Sequence, residues 1–228
     1  MTALRRDGDP VRPGVAVLAL EGDLRAILRG ERTLLNYLMH LSGVATATEE
    51  AVRASRGAGR AKLAVYGTRK TLPGLRDLEK AAIAHGGGVP HRRDLSSSVL
   101  IKNNHLAWMS VDEAVRRARR AVGTKFPVEV EVGSASEALA AARAGADAVL
   151  LDNRSPAEAR RILRSLERAG LRESVWIELS GGITARSIAR YRGVGADAAS
   201  LGSLTHSAPA LPFHLRVERR SPSARHST

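Results

Sequence analysis

The alternation of short apolar runs with helical segments is the feature that most limits how this chain can fold. Strand-like runs occupy residues 62–66, 98–101, 128–132, 146–151, 174–178 and 198–201. Helical patterns lie between or after them, at residues 75–85, 111–122, 136–144, 156–169 and 184–193. Strands that alternate with helices predict a parallel sheet, and this number of units favours a β/α barrel. A doubly wound open sheet is the second possibility, but no G-x-G-x-x-G sequence follows the first strand.

Helix starts can be placed from residues that satisfy free backbone N–H groups. A helical pattern begins near Asp23 and continues as a long amphipathic stretch over residues 31–55. Ser136 and Ser155 are predicted N-caps because their hydroxyl oxygens can accept from the first turn. Pro156 suits that first turn, where its missing N–H removes no hydrogen bond.

Outside the barrel, the chain predicts the remnant of a small N-terminal α/β domain. Residues 15–20 are strand-like, and one or two strands are not stable alone. We therefore expect a second strand at residues 211–217, outside the barrel and in the same sheet. The predicted division is residues 1–58 for the domain remnant and linking helix, 59–208 for the catalytic barrel, and 209–228 for the returning strand and a disordered tail.

Composition excludes several classes of protein. The chain has 228 residues with no Cys, which excludes disulfides, thiolate catalysis and Cys-ligated zinc, and predicts a cytoplasmic protein. No apolar run is long enough to span a membrane. The net charge of +13 raises nucleic acid as a partner, but aromatic residues make up only 3% and no nucleic-acid-binding motif is present. We expect a solvated basic surface, with some of the charge serving anionic substrates.

Cationic side chains are concentrated between residues 67 and 105, where the periodic apolar pattern breaks. They are Arg69, Lys70, Arg76, Lys80, His91, Arg92, Arg93, Lys102 and His105. Loops that follow barrel strands carry ligand-binding groups, so these cations indicate a small, multiply charged anion. Only five of the 36 Lys and Arg residues are Lys, which favours a need for an ammonium at Lys70 and Lys102, each at a loop start; the alternative is that both are surface charges.

Two carboxylates stand at neighbouring predicted strand ends, Glu131 after the third barrel strand and Asp152 after the fourth. Carboxylate oxygens are the ligands that Mg²⁺ prefers. The same pair can instead stabilise a developing sugar cation, or form structural salt bridges with surrounding basic residues.

Glycine-rich turns follow the last two strands and predict a phosphate site. The segments SGGIT and LGSLTH offer backbone N–H groups at strand ends, with the first leading into a predicted helix. The residues concerned are Ser180, Gly181, Gly182, Gly202, Ser203 and His206. From the residues alone we predict a β/α-barrel enzyme for a phosphorylated sugar and a second, carboxylate-bearing substrate, with Mg²⁺ as a possible cofactor.

Eight motifs in this chain occur in the order found in one enzyme family. They are ERTLLNYLMHLSGVAT, GTRKTLPGLRDLEK, GGGVPHR, VLIKNNH, VEVEV, ADAVLLDN, ELSGGIT and LGSLTHSAPALPFHL. Over about residues 5–218 the chain resembles quinolinate phosphoribosyltransferase, the carboxylating nicotinate-nucleotide diphosphorylase. The resemblance implies transfer of phosphoribose from phosphoribosyl pyrophosphate to quinolinate, with release of pyrophosphate and carbon dioxide to give nicotinate mononucleotide. It also implies a homodimer or higher homo-oligomer and no role for nucleic acid or membrane.

The same resemblance implies a role for each matching residue. Arg32 would reach the neighbouring subunit's site, and a cationic group would surround the quinolinate carboxylates: Arg69, Lys70, His91, Arg92 and Lys102. Glu131 and Asp152 would lie by the ribose and Mg²⁺. Phosphate would be held by Ser180, Gly181, Gly182, Gly202, Ser203 and His206. Lys70, Lys102, Glu131 and Asp152 are the expected catalytic group.

The chain departs from the family pattern in three places. The family normally carries several dozen more N-terminal residues, so we expect a late start or a shortened form that is a poor enzyme by itself. Asn103 stands where Asp is usual, and Pro90 where Asn is common. The alternatives are a related molybdenum-transport protein, a non-catalytic remnant and, third, a nucleic-acid-binding protein.

Overall fold

The computed structural model describes residues 1–56 and 63–218, and its centre is a six-stranded parallel sheet. Two short strands precede that sheet, β1 (Thr2–Ala3) and β2 (Leu18–Ala19). The sheet strands are β3 (Ala64–Tyr66), β4 (Val99–Ile101), β5 (Val128–Val132), β6 (Ala148–Asp152), β7 (Trp176–Ser180) and β8 (Ala198–Ser200). Their order is β3-β8-β7-β6-β5-β4, and a parallel bridge between Tyr66 and Val89 adds one more strand position beside β3. The predicted β/α barrel with a small N-terminal domain is confirmed.

Helices follow the strands as the alternation predicts. They are α1 (Leu24–Ser55), α2 (Arg76–His85), α3 (Asn103–Leu106), α4 (Val111–Val122), α5 (Ala135–Arg143), α6 (Pro156–Arg168) and α7 (Ser203–His206). Asp23 caps α1 by accepting from the Ala26 N–H, and Ser155 caps α6 with Pro156 in its first turn. The cap predicted at Ser136 is wrong. Ser134 caps α5 instead, because Glu137 stands three residues after it and its carboxylate accepts a hydrogen bond from the Ser134 N–H.

The helix predicted over residues 184–193 is also wrong. Only a short 3-10 helix forms there, at Ile188–Tyr191. Thr184 and Ser187 exchange side-chain-to-backbone hydrogen bonds in both directions, at 3.0 and 3.3 Å, and thereby close a local turn. Such bonds offer the backbone an alternative to the α-helix. The glycine turn at residues 180–182 therefore does not lead into an α-helix.

The predicted sheet partner of residues 15–20 is wrong as well. Only Leu18–Ala19 of that run is a strand, and it pairs in antiparallel fashion with Thr2–Ala3. Residues 211–217 lie outside the barrel sheet, as expected, but form no strand. They follow α1 instead: the Leu211 N–H donates to the Met39 carbonyl at 3.0 Å, and a Cβ at Gly43 would collide with the Pro209 carbonyl. Proline lacks the N–H that a central strand position needs.

Parts of the predicted domain division lie outside the described residues. The boundary at 58/59 falls within residues 57–62, and the tail predicted to be disordered is residues 219–228. The division itself stays a prediction. None of the helices that the structure describes is both long and apolar enough to cross a membrane.

Barrel strands present two chemically different faces, as period-two alternation requires. In β5 the residues Val128, Val130 and Val132 belong to the main apolar core, together with residues of α4, α5 and α6. The alternate residues, Glu129 and Glu131, point away from that layer. The β5 side chains inside the barrel are therefore acidic, while the helices pack on an aliphatic outer surface.

A buried acidic group lies inside the barrel. Glu129 and Glu178 are only 6% and 2% exposed, and the His91 Nε2 lies 3.1 Å from the Glu178 Oε2. The Oε1 atom of Glu129 has no hydrogen-bond partner among the described residues. Burial first, and then the neighbouring Glu178 carboxylate, raise the pKa of Glu129 to about 7. The Glu129 carboxyl group therefore favours its neutral form in the folded chain.

This raised pKa predicts how stability depends on pH. Between about pH 4.5 and 7 the folded chain binds more protons than the unfolded chain, so the free energy of unfolding falls as pH rises through that window. Glu129→Gln removes this titration. The free energy of unfolding is measured with denaturant from pH 5 to pH 8, in a buffer with a metal chelator. Over this range it should fall by roughly 1–3 kcal/mol more in the wild type than in Glu129→Gln. Glu167→Gln, at an exposed position, is the control and should keep the wild-type slope. Parallel curves for wild type and Glu129→Gln would contradict the prediction.

Candidate active site

Two carboxylates meet where adjacent parallel strands end. Glu131 is the penultimate residue of β5 and Asp152 is the last residue of β6, and these strands are hydrogen-bonded neighbours. Each carboxylate accepts a hydrogen bond of 2.6 Å from an asparagine amide, Glu131 from Asn103 and Asp152 from Asn153. The amides fix the orientation of the carboxylates and leave their other oxygens available. This contact also accounts for Asn103: an aspartate there would place a third negative charge beside Glu131.

The charges around Glu131 oppose one another. Partial burial and then the Asp152 carboxylate raise the pKa of Glu131, whereas Lys102, the Asn103 amide and Lys70 act to lower it. Lys102 is exposed at the start of α3, and its backbone N–H donates to the His105 Nδ1 at 2.8 Å. The site thus combines two nearby carboxylates with two ammonium groups, a mixture suited to a substrate that develops positive charge and loses an anion.

The end of β8 completes the other side of this site. A Cβ built on Gly202 would meet the Lys70 side chain at 2.9 Å and the His206 Nε2 at 3.1 Å, so these three residues lie together. Thr205, which the sequence interpretation did not single out, donates from its hydroxyl to the Lys70 carbonyl at 2.6 Å. The signal available in the sequence was the position of Thr205 within the segment LGSLTH. It joins the Lys70 loop to the last strand end.

The residues predicted to hold phosphate occupy neighbouring strand ends. Ser180 ends β7 and is paired with Asp152, while Gly202 and Ser203 follow β8. Gly181 and Gly182 have φ values of +84° and +62°, a region that favours glycine. A Cβ on Gly181 would also collide with the side chain of Asn153. The glycines therefore allow close packing against the Asp152–Asn153 turn and leave backbone groups at the mouth of the barrel.

A second cationic group lies on the loop after Val89. Arg92 is half-buried and donates from its guanidinium to the Ser98 carbonyl at 3.3 Å. Burial first, and then the positive charge of Arg69, lower its pKa. The His91 ring projects into the barrel, where it contacts Glu178 and lies edge-on to Tyr66 with ring centroids 5.3 Å apart. The structure thus brings Arg69 and Arg92 together but uses the imidazole internally.

The tautomer of His91 decides whether this group can bind a metal. One ligand atom each from His91, Glu129 and Glu178 lie within 4.8 Å of one another, a spacing that a metal ion can bridge. However, the Nδ1 of His91 accepts a hydrogen bond of 2.6 Å from the Arg92 backbone N–H. The neutral ring must then carry its proton on Nε2, which donates to Glu178 and has no lone pair for a metal. This arrangement is an oriented His–carboxylate pair, and its geometry does not fit a metal centre.

Arg32 does not join these groups within one chain. It is exposed on α1, and in the part of the chain that the structure describes it forms no hydrogen bond or ion pair with the other predicted site residues. All of the other predicted site residues lie at barrel strand ends or on the loops that follow them.

Comparison with protein families gives two matches that together cover nearly the whole chain. Residues 44–216 match the quinolinate phosphoribosyl transferase C-terminal domain, and residues 1–42 match the N-terminal domain of the same family.

Known proteins of this family are similar over most of their length. A probable nicotinate-nucleotide pyrophosphorylase [carboxylating] of Archaeoglobus fulgidus is 43% identical over 213 residues, covering 93% of this chain and 81% of the relative. The human nicotinate-nucleotide pyrophosphorylase [carboxylating] is also 43% identical, covering 92% of this chain and 70% of the human protein. The crystal structure of NadC from Streptococcus pyogenes superposes with a TM-score of 0.84 at 41% identity, covering 94% of this chain and 73% of that one.

The matches place both domain types in the order that the fold shows, and the strand-end residues of the candidate site lie within the matched C-terminal domain. This chain therefore belongs to the quinolinate phosphoribosyltransferase family.

Proposed function

We infer that this chain is a pentosyltransferase, a carboxylating nicotinate-nucleotide diphosphorylase of NAD biosynthesis. It transfers phosphoribose from phosphoribosyl pyrophosphate to quinolinate and releases pyrophosphate and carbon dioxide. The relatives named above are pyrophosphorylases of this type, and the chain covers more than two thirds of each. The related molybdenum-transport protein is not favoured, because the curated relatives carry the carboxylating enzyme's name.

The observation that carries this inference is the convergence of four cations, in two pairs, on the strand-end loops of a barrel whose neighbouring strands end in a carboxylate pair. Lys70 and Lys102 act on Glu131, at the ends of β3, β4 and β5. Arg69 and Arg92 form the second group, close to the loop that carries His91. A substrate with one phosphate needs one such group. A dicarboxylate acceptor together with a phosphorylated, pyrophosphate-bearing donor needs both.

We propose that preorganised charges drive the first step. The pyridine nitrogen of quinolinate attacks the anomeric carbon of the donor, and the bond to pyrophosphate breaks with its electron pair leaving on oxygen. Positive charge develops on the ribose ring as the bond lengthens. Glu131 and Asp152, held by Asn103 and Asn153, stabilise that charge, and Lys70 and Lys102 stabilise the anions on either side.

The second step uses the charge that the first one creates. The ring nitrogen of the product is a pyridinium, which accepts the electron pair when the bond to the adjacent carboxylate breaks and carbon dioxide leaves. That ring carbon then takes up a proton. Arg69 and Arg92 are proposed to hold the acceptor so that the reacting nitrogen faces the ribose, and His91 would support them through its loop.

We propose Glu131 and Asp152 as the residues that hold Mg²⁺. Their donor set fits a hard divalent cation, because both are carboxylates and each keeps oxygen atoms beyond the one bound to an asparagine amide. When bound, the ion would neutralise charge on the leaving pyrophosphate.

The proposed assembly is a cytoplasmic homodimer. Support comes from Arg32, which is exposed on α1 and stands apart from its own chain's site, as a residue serving a neighbouring subunit would. The absence of Cys from the sequence favours a reducing compartment.

The charge pattern predicts the acceptor. Quinolinate has a second carboxylate for the additional cations, whereas nicotinate has only one, so quinolinate should be strongly preferred. Steady-state rates with each acceptor at saturating phosphoribosyl pyrophosphate measure this preference. Equal turnover of nicotinate and quinolinate would contradict the assignment of the second cationic group.

Lys102→Ala should reduce turnover about tenfold to a few hundredfold, because a charge-assisted contact contributes roughly 1.5–3 kcal/mol. Lys102 is exposed, so the thermal unfolding temperature should stay nearly unchanged. Lys125→Ala, at an exposed position before β5, is the matched control. Normal kinetics in the Lys102 variant would place its ammonium outside the site.

The metal assignment predicts a loss of metal binding that can be measured independently of enzymatic activity. Titration of Mn²⁺ into the chain with phosphoribosyl pyrophosphate, followed by electron paramagnetic resonance, should show one bound ion per site. Glu131→Gln and Asp152→Asn should each weaken that binding at least about tenfold. Glu137→Gln, which changes a carboxylate in the α5 capping box, should leave it unchanged. Unaltered Mn²⁺ binding in both site variants would move the metal elsewhere.

A further inference from the structure

One face of α2 contacts the loop of residues 90–93, which carries His91 and Arg92. The Nζ of Lys80 donates to the Pro90 carbonyl and, at 3.3 Å, to the His91 carbonyl. Asp77 receives two hydrogen bonds of 2.7 Å from the Arg93 guanidinium, and Arg76 donates to the Arg93 carbonyl at 3.5 Å. The helix therefore contacts this short loop at successive positions, although the Arg76 and Asp77 contacts are exposed to solvent.

Lys80 differs from its neighbours because it is buried. Lys80 is only 7% exposed. Among the described residues, no carboxylate lies within ion-pair distance of its Nζ. Nearby acids are committed elsewhere: Asp77 to Arg93, and the fully buried Glu79 to His40 at 2.7 Å and to the Leu72 N–H. A buried ammonium without an anion is unfavourable unless its donors are satisfied. Here two loop carbonyls accept from it.

The loop that Lys80 contacts has a constrained backbone. His91 has a φ of +59°, in the left-handed region that residues other than glycine rarely occupy because of steric strain. On its N-terminal side the chain is fixed by the pairing of Val89 with Val65 and Gly67, at 2.8 Å each. Pro90 then restricts φ at the intervening position. The carbonyls bound by Lys80 are those on either side of the strained residue.

The conformation of His91 determines where two side chains point. With φ positive, its ring enters the barrel and donates to Glu178, while its Nδ1 accepts from the Arg92 N–H. The same turn directs Arg92 towards Ser98 and the neighbourhood of Arg69. Relaxation of His91 to an ordinary β or α conformation would break both ring contacts and redirect Arg92.

We propose that Lys80 is a positioning residue for the acceptor site: its buried ammonium holds the strained turn at His91 and thereby places Arg92 for the acceptor's carboxylates. The proposal rests on the proposed function for the identity of the acceptor. In the part of the chain that the structure describes, the hydrogen bonds of the Lys80 Nζ go to the loop carbonyls, so its effect on the reaction passes through His91 and Arg92. Burial, and then the positive charge of Arg76, lower the pKa of Lys80, while the Asp77 carboxylate acts to raise it.

The test is Lys80→Met, which keeps the length of the side chain and removes the cation. KM for quinolinate should rise about 10- to 100-fold, the loss expected when hydrogen bonds from a charged group are removed. KM for phosphoribosyl pyrophosphate should stay within about twofold, because the donor site at residues 180–182 and 202–206 is untouched. Hydrogen exchange of a peptide spanning residues 89–98 should become faster. The same substitution at exposed Lys125 is the control and should change none of these quantities.

The outcomes separate this proposal from its alternatives. Equal increases in both KM values, or a lower unfolding temperature with unchanged exchange in residues 89–98, would overturn it in favour of a purely structural role. If wild-type protein does not turn over quinolinate, the proposed function fails, and the exchange of the loop still decides whether Lys80 positions it.

A second variant covers the case in which Lys80→Met does not fold. Lys80→Arg keeps the positive charge but places a broader, planar group in a closed contact. It should show the same difference between the two substrates but a smaller effect, with KM for quinolinate raised about threefold and KM for phosphoribosyl pyrophosphate unchanged. Wild-type values for both substrates and unchanged loop exchange in the Arg variant would overturn the proposal.

Discussion

Parallel pairing of β5, β6, β7 and β8 is the constraint on which the site depends. Parallel strands place all of their C-terminal ends at one edge, so residues far apart in sequence meet there without any sequence signal between them. The pairings of Leu150 with Glu131 and of Asp152 with Ser180 set the relative heights of the carboxylates and the glycine turn. A one-residue shift in either register would send Glu131 or Asp152 to the apolar outer face.

Much of this arrangement follows from local patterns. Alternation of Val with Glu over Val128–Val132 predicts one apolar and one polar face, and the structure has both. The rule that barrel loops after strands carry ligand groups selects Lys70, Lys102, Glu131 and Asp152, all of which lie at strand ends. The N-cap at Ser155 follows from Pro156 and Glu158, since both the cap and its reciprocal bond are encoded within four residues.

The errors arise where one local pattern competes with another, or with a contact that the sequence does not reveal. Ser136 has the chemistry of a cap, but Ser134 has Glu137 at the required spacing. Residues 211–217 are apolar enough for a strand, yet they pack along α1, where Gly43 permits close approach. The direction of the His91 ring is a further feature that the sequence does not reveal: both of its nitrogens bond within the protein, and its role at the acceptor stays a prediction. Only the left-handed backbone at that residue determines this direction.

The barrel interior explains why so much polar chemistry converges on the loop of residues 90–93. Glu129 and Glu178 are buried with one histidine donor between them, and Glu178 takes that donor. Among the described residues the Glu129 Oε1 has no hydrogen-bond partner; burial and the Glu178 carboxylate favour the neutral form of Glu129, whereas the charges of His91 and Arg92 favour its ionised form. The charge of Arg92 therefore offsets the buried acids, and the same residue is the one proposed to hold the acceptor. Replacing Glu178 should therefore also change the proposed acceptor site, because the turn at His91 is held by Lys80 on one side and by Glu178 on the other.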